Sequence, residues 1–374
     1  MPVDFQSVNF QLKSLGEQAR SQQRQIDAAK QQAEDLLAHY ANQQAELKRK
    51  AEIAASQNAK LRCALPTDEA LNASFPIPAL PSQASIIAAD GSQIYASRHE
   101  AVEYSLVNVG AVQFQLGNGD APQRFTESAL FYGYQSEAQV SQERDLRERQ
   151  ELARLAGDAP APVITLTDGP LELWGGESEY AKALAKYLET LAQTQQLGAT
   201  TAGYVDKPIE DFVVRLLEIA SLPPEEAGRE RPLRGVRDIF LFEDKLQPGE
   251  RSAVFGIQSY SANKYEGELA LHFFYLNVGR PGKPWLARVE IPAWVVNDQT
   301  MLNNLHAVLV EQATIMGVRP YPYILHRAHE EALVTFDEKR QIDALLAREL
   351  EVYSEGSYKQ ALKDMSTEKT RYSL

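Results

Sequence analysis

From Phe5 to Leu47 apolar residues recur every three or four positions: Phe5, Val8, Leu12, Leu15, Ala19, Ile26, Ala29, Ala33, Leu36, Tyr40 and Leu47. That rhythm is a heptad seam, weakened by polar Gln22 and Gln43, and it predicts one long helix or two broken near Gly16. Such a seam serves either a helix packed lengthwise on its own domain or a coiled coil with a second chain. Four prolines within 65–83 end the pattern and predict a linker.

The rhythm then changes. Ser85–Ala89, Glu103–Gln115, Ala129–Tyr134 and Val163–Thr167 read as strands, the last as a buried β-branched run. Residues 139–159 read as a helix with Leu146, Leu152 and Leu155 on its apolar side. "SEYAKALAKYLETLAQTQQLG" is an amphipathic helix stopped by Gly198. "TTAGYVDKP" reads as a strand and "EDFVVRLLEIASLPP" as a helix, with 223–235 a surface loop. "SAVFGIQS", "ELALHFFYLNVG" and "PWLARVEIPAWVV" are strands, the last two joined by the hairpin-like "GRPGKP". "QTMLNNLHAVLVEQATIMG" and "RAHEEALVTFDEKRQIDALLAREL" are helices, and the polar segment from Tyr353 is a loosely held tail. Strands mixed with helices predict an α/β mixed sheet flanked by helices. The segments divide as 1–64 helical, 65–84 linker, 85–345 the main domain and 346–374 the tail.

Composition narrows the class. The 374 residues are 44% hydrophobic, enough for a real core. No apolar run reaches the roughly 20 residues of a membrane helix, and the first residues lack a signal-peptide pattern. Cys63 is the single cysteine, which leaves no disulfide within the chain and no cysteine-based zinc site. These features predict a cytoplasmic protein. A net charge of −13 disfavours coating nucleic acid by broad positive potential, but carboxylates that hold divalent cations also raise the acidic count.

Two strands run into the same dipeptide: "SIIAADGSQI" brings Asp90-Gly91 and "VITLTDGPL" brings Asp168-Gly169. A carboxylate leaving each of two neighbouring strands can share hard cations such as Mg²⁺ or Mn²⁺, and the glycine admits a close ligand. One Asp-Gly after a strand is commonly only a turn. His326 and His329 stand one turn apart but do not form an HExxH zinc motif. The chain has neither a Walker-type phosphate loop nor a G-x-S-x-G elbow.

"AADGSQ", "TLTDGPLEL", "AGYVDKP", "LARVEIPAWV" and "YPYILHRAHEEALV", in that order over about Ser85–Leu345, resemble the NurA nuclease family. The resemblance implies an RNase H-like fold with a long N-terminal helix. It further implies a Mn²⁺-dependent nuclease on single- and double-stranded DNA, with Mg²⁺ as the alternative ion and two ions per site. Homodimers acting in DNA end resection with a HerA-type hexameric helicase/translocase are also implied. By the resemblance the site comprises Asp90, Glu151, Asp168, Tyr321 and His329, with Asp90, Glu151, Asp168 and His329 as metal ligands. Glu148 competes with Glu151, and Tyr321 is preferred to Tyr323 by its spacing to His329. Asp206, Lys207, Arg288 and Glu290 are secondary positions that a salt-bridged strand end explains equally well. Phosphodiester hydrolysis by two ions about 4 Å apart suits this donor set. The rival readings are a catalytically weak nuclease-fold adaptor or clamp for the DNA motor, and a coiled-coil scaffold.

Overall fold

The computed structural model describes residues 4–96, 103–133, 135–173 and 180–349, so Tyr134 and the tail from Tyr353 lie outside the described residues. Two helices lead: α1 (Phe5–His39) and α2 (Gln44–Gln57). Five strands follow: β1 (Cys63–Pro66), β2 (Ser74–Phe75), β3 (Ala84–Ile94), β4 (Tyr104–Leu116) and β5 (Gln123–Tyr132). Next come α3 (Glu137–Asp158), β6 (Val163–Asp168), α4 (Tyr180–Gln196) and β7 (Thr200–Asp206). Then α5 (Phe212–Ser221), α6 (Pro224–Ala227) and α7 (Asp238–Phe242) precede β8 (Arg251–Ser252), β9 (Phe255–Gln258), β10 (Leu271–Asn277) and β11 (Leu286–Pro292). Four helices close the order: α8 (Ala293–Val296), α9 (Gln299–Ile315), α10 (Tyr323–Ala332) and α11 (Phe336–Glu349).

The chain forms two compact units. One gathers residues up to 80, 169–172 and 203–321; the other gathers 81–168, 173–202 and the residues from 322 onward. These units cut across the segments that the sequence pattern suggests, because the first takes in both the N-terminal residues up to 80 and residues 203–321 of the segment 85–345.

In the first unit β1, β9, β10, β11 and the end of β7 pair antiparallel in that order. Phe242 stacks on Tyr275 and Phe255 on Phe273, giving the sheet an aromatic core. Residues 65–83 differ from a free linker: β1 pairs with β9, and β2 pairs with β8. The N-terminal helix breaks at Tyr40 rather than Gly16, where the Tyr40 N–H closes the last turn on Leu36 and its hydroxyl donates to Ala220 O. Ala33, Leu37, Tyr40 and Leu47 are buried, whereas Phe5, Val8, Leu12 and Leu15 are exposed. The C-terminal half of the seam therefore packs on its own unit. "AWVV" leaves the strand pattern and turns into α8, and α6 occupies part of the predicted loop.

His306 on α9 is buried, and its Nε2 lies 2.7 Å from Gly249 O. Burial pushes its pKa down to about 4. Because the unfolded chain titrates near 6.5, it binds more protons than the folded chain between pH 6.5 and 4. Stability should fall through that window by roughly 3 kcal/mol from this one group. Urea unfolding at stepped pH checks it: His306→Gln should lose about one proton's worth of slope there, and an unchanged slope contradicts it.

In the second unit β5, β4 and β3 form an antiparallel meander, β6 adds parallel to β3, and the start of β7 follows. This mixed sheet, with α3 covering one face, has the order expected of an RNase H-like domain. Ile87, Ala89, Val107, Val109, Leu152, Leu155 and Val163 meet in the core beneath α3. The predicted final helix is two, because Ala332 O accepts from Ser92 and Asn108 side chains and Thr335 starts α11 with a reciprocal bond to Glu338.

Candidate active site

The two Asp-Gly pairs turn out to be different objects. β6 does end at Asp168, and Gly169 follows with φ 88°, a turn that favours glycine. β3, by contrast, runs on through Asp90 and Gly91 to Ile94, because β4 stays hydrogen-bonded to it as far as Ile94↔Leu106. The expectation that both aspartates leave a strand end is corrected for Asp90: only its parallel partner stops there. The β3–β6 register ends at Ala89↔Thr167, so the next step sets Asp90 beside Asp168. Neighbouring strands lie about 4.8 Å apart, and residues paired in parallel share a face.

Alternation then decides which face. Ile87 and Ala89 point into the core beneath α3, so Asp90 points to the opposite face, where α10 lies. From α10, His329 Nδ1 reaches Asp90 Oδ2 at 2.6 Å. A carboxylate only accepts, so Nδ1 carries the proton and Nε2 is the ring nitrogen able to exchange one. The His329 side chain is 57% exposed and that of Asp90 16%. Asp168 is exposed.

Helix α3 supplies a third carboxylate from its own side. Gly91 has no side chain to hold α3 away: a Cβ there would stand 2.5 Å from Arg144 Cγ and 2.7 Å from Glu148 Oε1. Glu148 is buried between Arg144, at 3.3 Å, and Arg149, at 3.2 Å. Burial pushes its pKa up to about 8, the arginines oppose this, and the charges of Asp145 and Asp90 add to it. Glu148 is thus within electrostatic reach of Asp90.

Glu151 is differently placed. Both its oxygens take Arg154, at 2.7 and 2.6 Å, and Arg154 lies over Phe125 of β5. The structure joins His329 to Asp90 and leaves Asp168 one step past the last β3–β6 register pair, places Glu148 on the α3 side within reach of the Asp90 charge and Glu151 on Arg154, and holds Tyr321 in the first unit edge-on to Tyr204. His326 forms an i,i+4 pair with Glu330. Of the secondary positions, Arg288 is buried in ion pairs with Glu290 and Glu210, and Glu290 also accepts the Leu171 N–H. Asp206 accepts from the Trp285 indole, and Lys207 sits on the Trp285 ring.

Residues 84–334 match the model of the NurA domain. The chain belongs to the NurA family. Membership brings a nuclease role with it. No curated protein sequence matches the chain. The structure is similar to that of the NurA nuclease from Sulfolobus solfataricus, with 14% identity, 75% of this chain and 87% of that chain covered and a TM-score of 0.48. It is also similar to the catalytic domain of human Endonuclease V, with 12% identity, 81% and 96% covered and a TM-score of 0.33.

Among the described residues no three His, Cys, Asp or Glu side chains are arranged as a ready metal site in this NurA protein. The donor chemistry nevertheless fits a hard divalent ion. Asp90 and Asp168 are adjacent oxygen donors, and Glu148 is a buried carboxyl whose charged form a nearby cation would favour. Among the described residues no helix is long and apolar enough to cross a membrane.

Proposed function

We propose that this NurA protein is a divalent-metal-dependent deoxyribonuclease that hydrolyses phosphodiester bonds in single- and double-stranded DNA. The observation that carries the reading is the hydrogen bond from His329 to Asp90, with Asp90 and Asp168 each following the last parallel pair, Ala89↔Thr167. Asp90 and Asp168 would hold the ion, Mn²⁺ by preference and Mg²⁺ as the alternative, and Glu148 acts on Asp90 through its charge. When bound, the ion supplies Lewis acidity at the phosphate and a water of lowered pKa. His329 fixes the Asp90 carboxylate through Nδ1 and moves a proton at Nε2. Arg144, half-exposed beside Glu148, offers positive charge to a phosphate oxygen.

The cellular setting belongs to the same proposal: a cytoplasmic homodimer that resects DNA ends with a HerA-type hexameric translocase. The experiment incubates end-labelled single- and double-stranded DNA with the protein and Mn²⁺, Mg²⁺ or EDTA. Cleavage should need the ion, stop with EDTA and return with excess Mn²⁺. EDTA-resistant cleavage overturns the metal assignment. No cleavage under any condition, with or without the translocase, leaves the adaptor reading in its place.

A further inference from the structure

One corner of the first unit carries unpaired positive charge in a chain of net charge −13. Residues 279–284 turn tightly between β10 and β11, with Arg280 and Lys283 exchanging both backbone hydrogen bonds at the exposed tip. The Arg280 guanidinium donates to Gly317 O, which brings Arg319, also exposed, to the same corner. Trp285 stands at the root of the turn, its N–H held 3.1 Å from Asn277 Oδ1 and its indole donating to Asp206 at 2.7 Å. The Lys207 ammonium lies 4.0 Å from the centre of the Trp285 ring.

Two features mark this corner. Among the described residues no carboxylate pairs with Lys207, Arg280, Lys283 or Arg319, whereas the arginines of α3 and α10 are ion-paired. Lys207 is also the one described non-glycine residue with positive φ, at 48°, a conformation that side-chain-bearing residues rarely keep without a purpose. The backbone strain holds an exposed cation against an aromatic face.

Resting on the nuclease reading above, we propose that this corner is a docking surface for a single DNA strand, with Arg280, Lys283, Arg319 and Lys207 on successive phosphates and a base on Trp285. Lysine and arginine contacts to phosphate supply sequence-independent affinity, and an indole supplies a stacking platform that any base can use. Asp206 fixes the indole plane, so the platform is oriented before the strand arrives. Lys207 exchanges its place on the ring for a phosphate when a base takes the face.

The test uses the full chain carrying Asp90→Asn, so that the strand is not cut, and fluorescence anisotropy with labelled oligothymidylate across a salt series. Arg280→Ser with Lys283→Ser changes only exposed residues. It should weaken binding about tenfold and reduce the log–log salt slope by about 1.4, at roughly 0.7 per lost single-strand phosphate contact. Trp285→Leu should narrow the preference for oligothymidylate over an abasic strand of equal length. If that variant does not fold, the abasic comparison on unaltered Trp285 still reads the stacking. Unchanged affinity and slope in the folded double variant overturn the proposal, as does equal binding of abasic and thymidylate strands by unaltered Trp285. Hydrolysis of bis(p-nitrophenyl) phosphate by the chain with native Asp90 separates the two ideas. Hydrolysis that persists beside unaltered DNA affinity removes this surface alone, and absent hydrolysis with metal removes the nuclease reading.

Discussion

Asp90→Asn is expected to lower metal-dependent DNA cleavage about a thousandfold while leaving the unfolding midpoint nearly unchanged. The substitution keeps the shape and removes the charge, and several kcal/mol of transition-state stabilisation by a bound ion corresponds to roughly that factor. Asp168→Asn should match it, since both carboxylates directly follow the last parallel pair, Ala89↔Thr167. The more discriminating pair lies on α3. Glu148→Gln should lose activity on the same scale with little change in stability, because burial already favours the uncharged carboxyl. Glu151→Gln should keep activity and cost at most about 1 kcal/mol, the worth of a pair whose arginine is half-exposed. Cleavage rates and urea unfolding of the four variants check this. Loss of activity in Glu151→Gln with retention in Glu148→Gln would reverse the assignment.

The choice between Glu148 and Glu151 marks how far the chain can be read as letters. Family spacing favours Glu151, and "RERQEL" offers two acids within one turn. Which of them faces the strand depends on the rotation of α3 about its axis, and tertiary contacts fix that rotation. The observation that favours Glu148 is at Gly91. A glycine directly after Asp90 lets α3 approach, and the residues that fill the space are Arg144 and Glu148. The sequence shows the glycine but not its neighbour, so close approach and turn formation look alike there. At Asp168 the glycine does make a turn, as the pattern predicts.

The same distinction explains the successes and misses in the fold. The α3 helix, β6, α4, β7 and α9 carry their period within one element, and each was legible to within a few residues. β3 and β5 extend well past their apolar runs because their outer halves are held by pairing to β4, which no local pattern reports. β1 and β2 arise inside a proline-rich stretch for the same reason. The seam in α1 was visible as a whole, yet only its C-terminal half is covered by the chain itself. His329 beside Asp90 spans 239 residues of sequence and could be anticipated only through family resemblance.

Gly110→Ala is expected to be the most damaging single-methyl change in the second unit, at about 3 kcal/mol or more. Gly110 pairs with Asp90 across β3 and β4 and lies on the α10 side of the sheet. A Cβ there would stand 2.3 Å from the backbone nitrogen of Ala332 and 2.4 Å from the carbonyl carbon of Glu331. Those are main-chain atoms, so no rotamer change can yield. The end of α10 is also held from the strands, by Ser92 and Asn108 donating to Ala332 O at 2.5 and 2.8 Å. Pushing the helix outward therefore breaks both bonds and draws His329 away from Asp90, three residues before the clash. Activity should fall along with stability, even at temperatures where the variant remains folded. Gly157→Ala is the matching control. Gly157 lies in the last turn of α3, its added Cβ would meet only Leu197 at 3.8 Å, and the change should be neutral or stabilising by up to about 1 kcal/mol. Thermal unfolding of both variants beside cleavage at low temperature tests the account. A Gly110→Ala protein with native stability and native cleavage would mean that α10 does not sit on β4 as described, and the Asp90–His329 pair would fall with it.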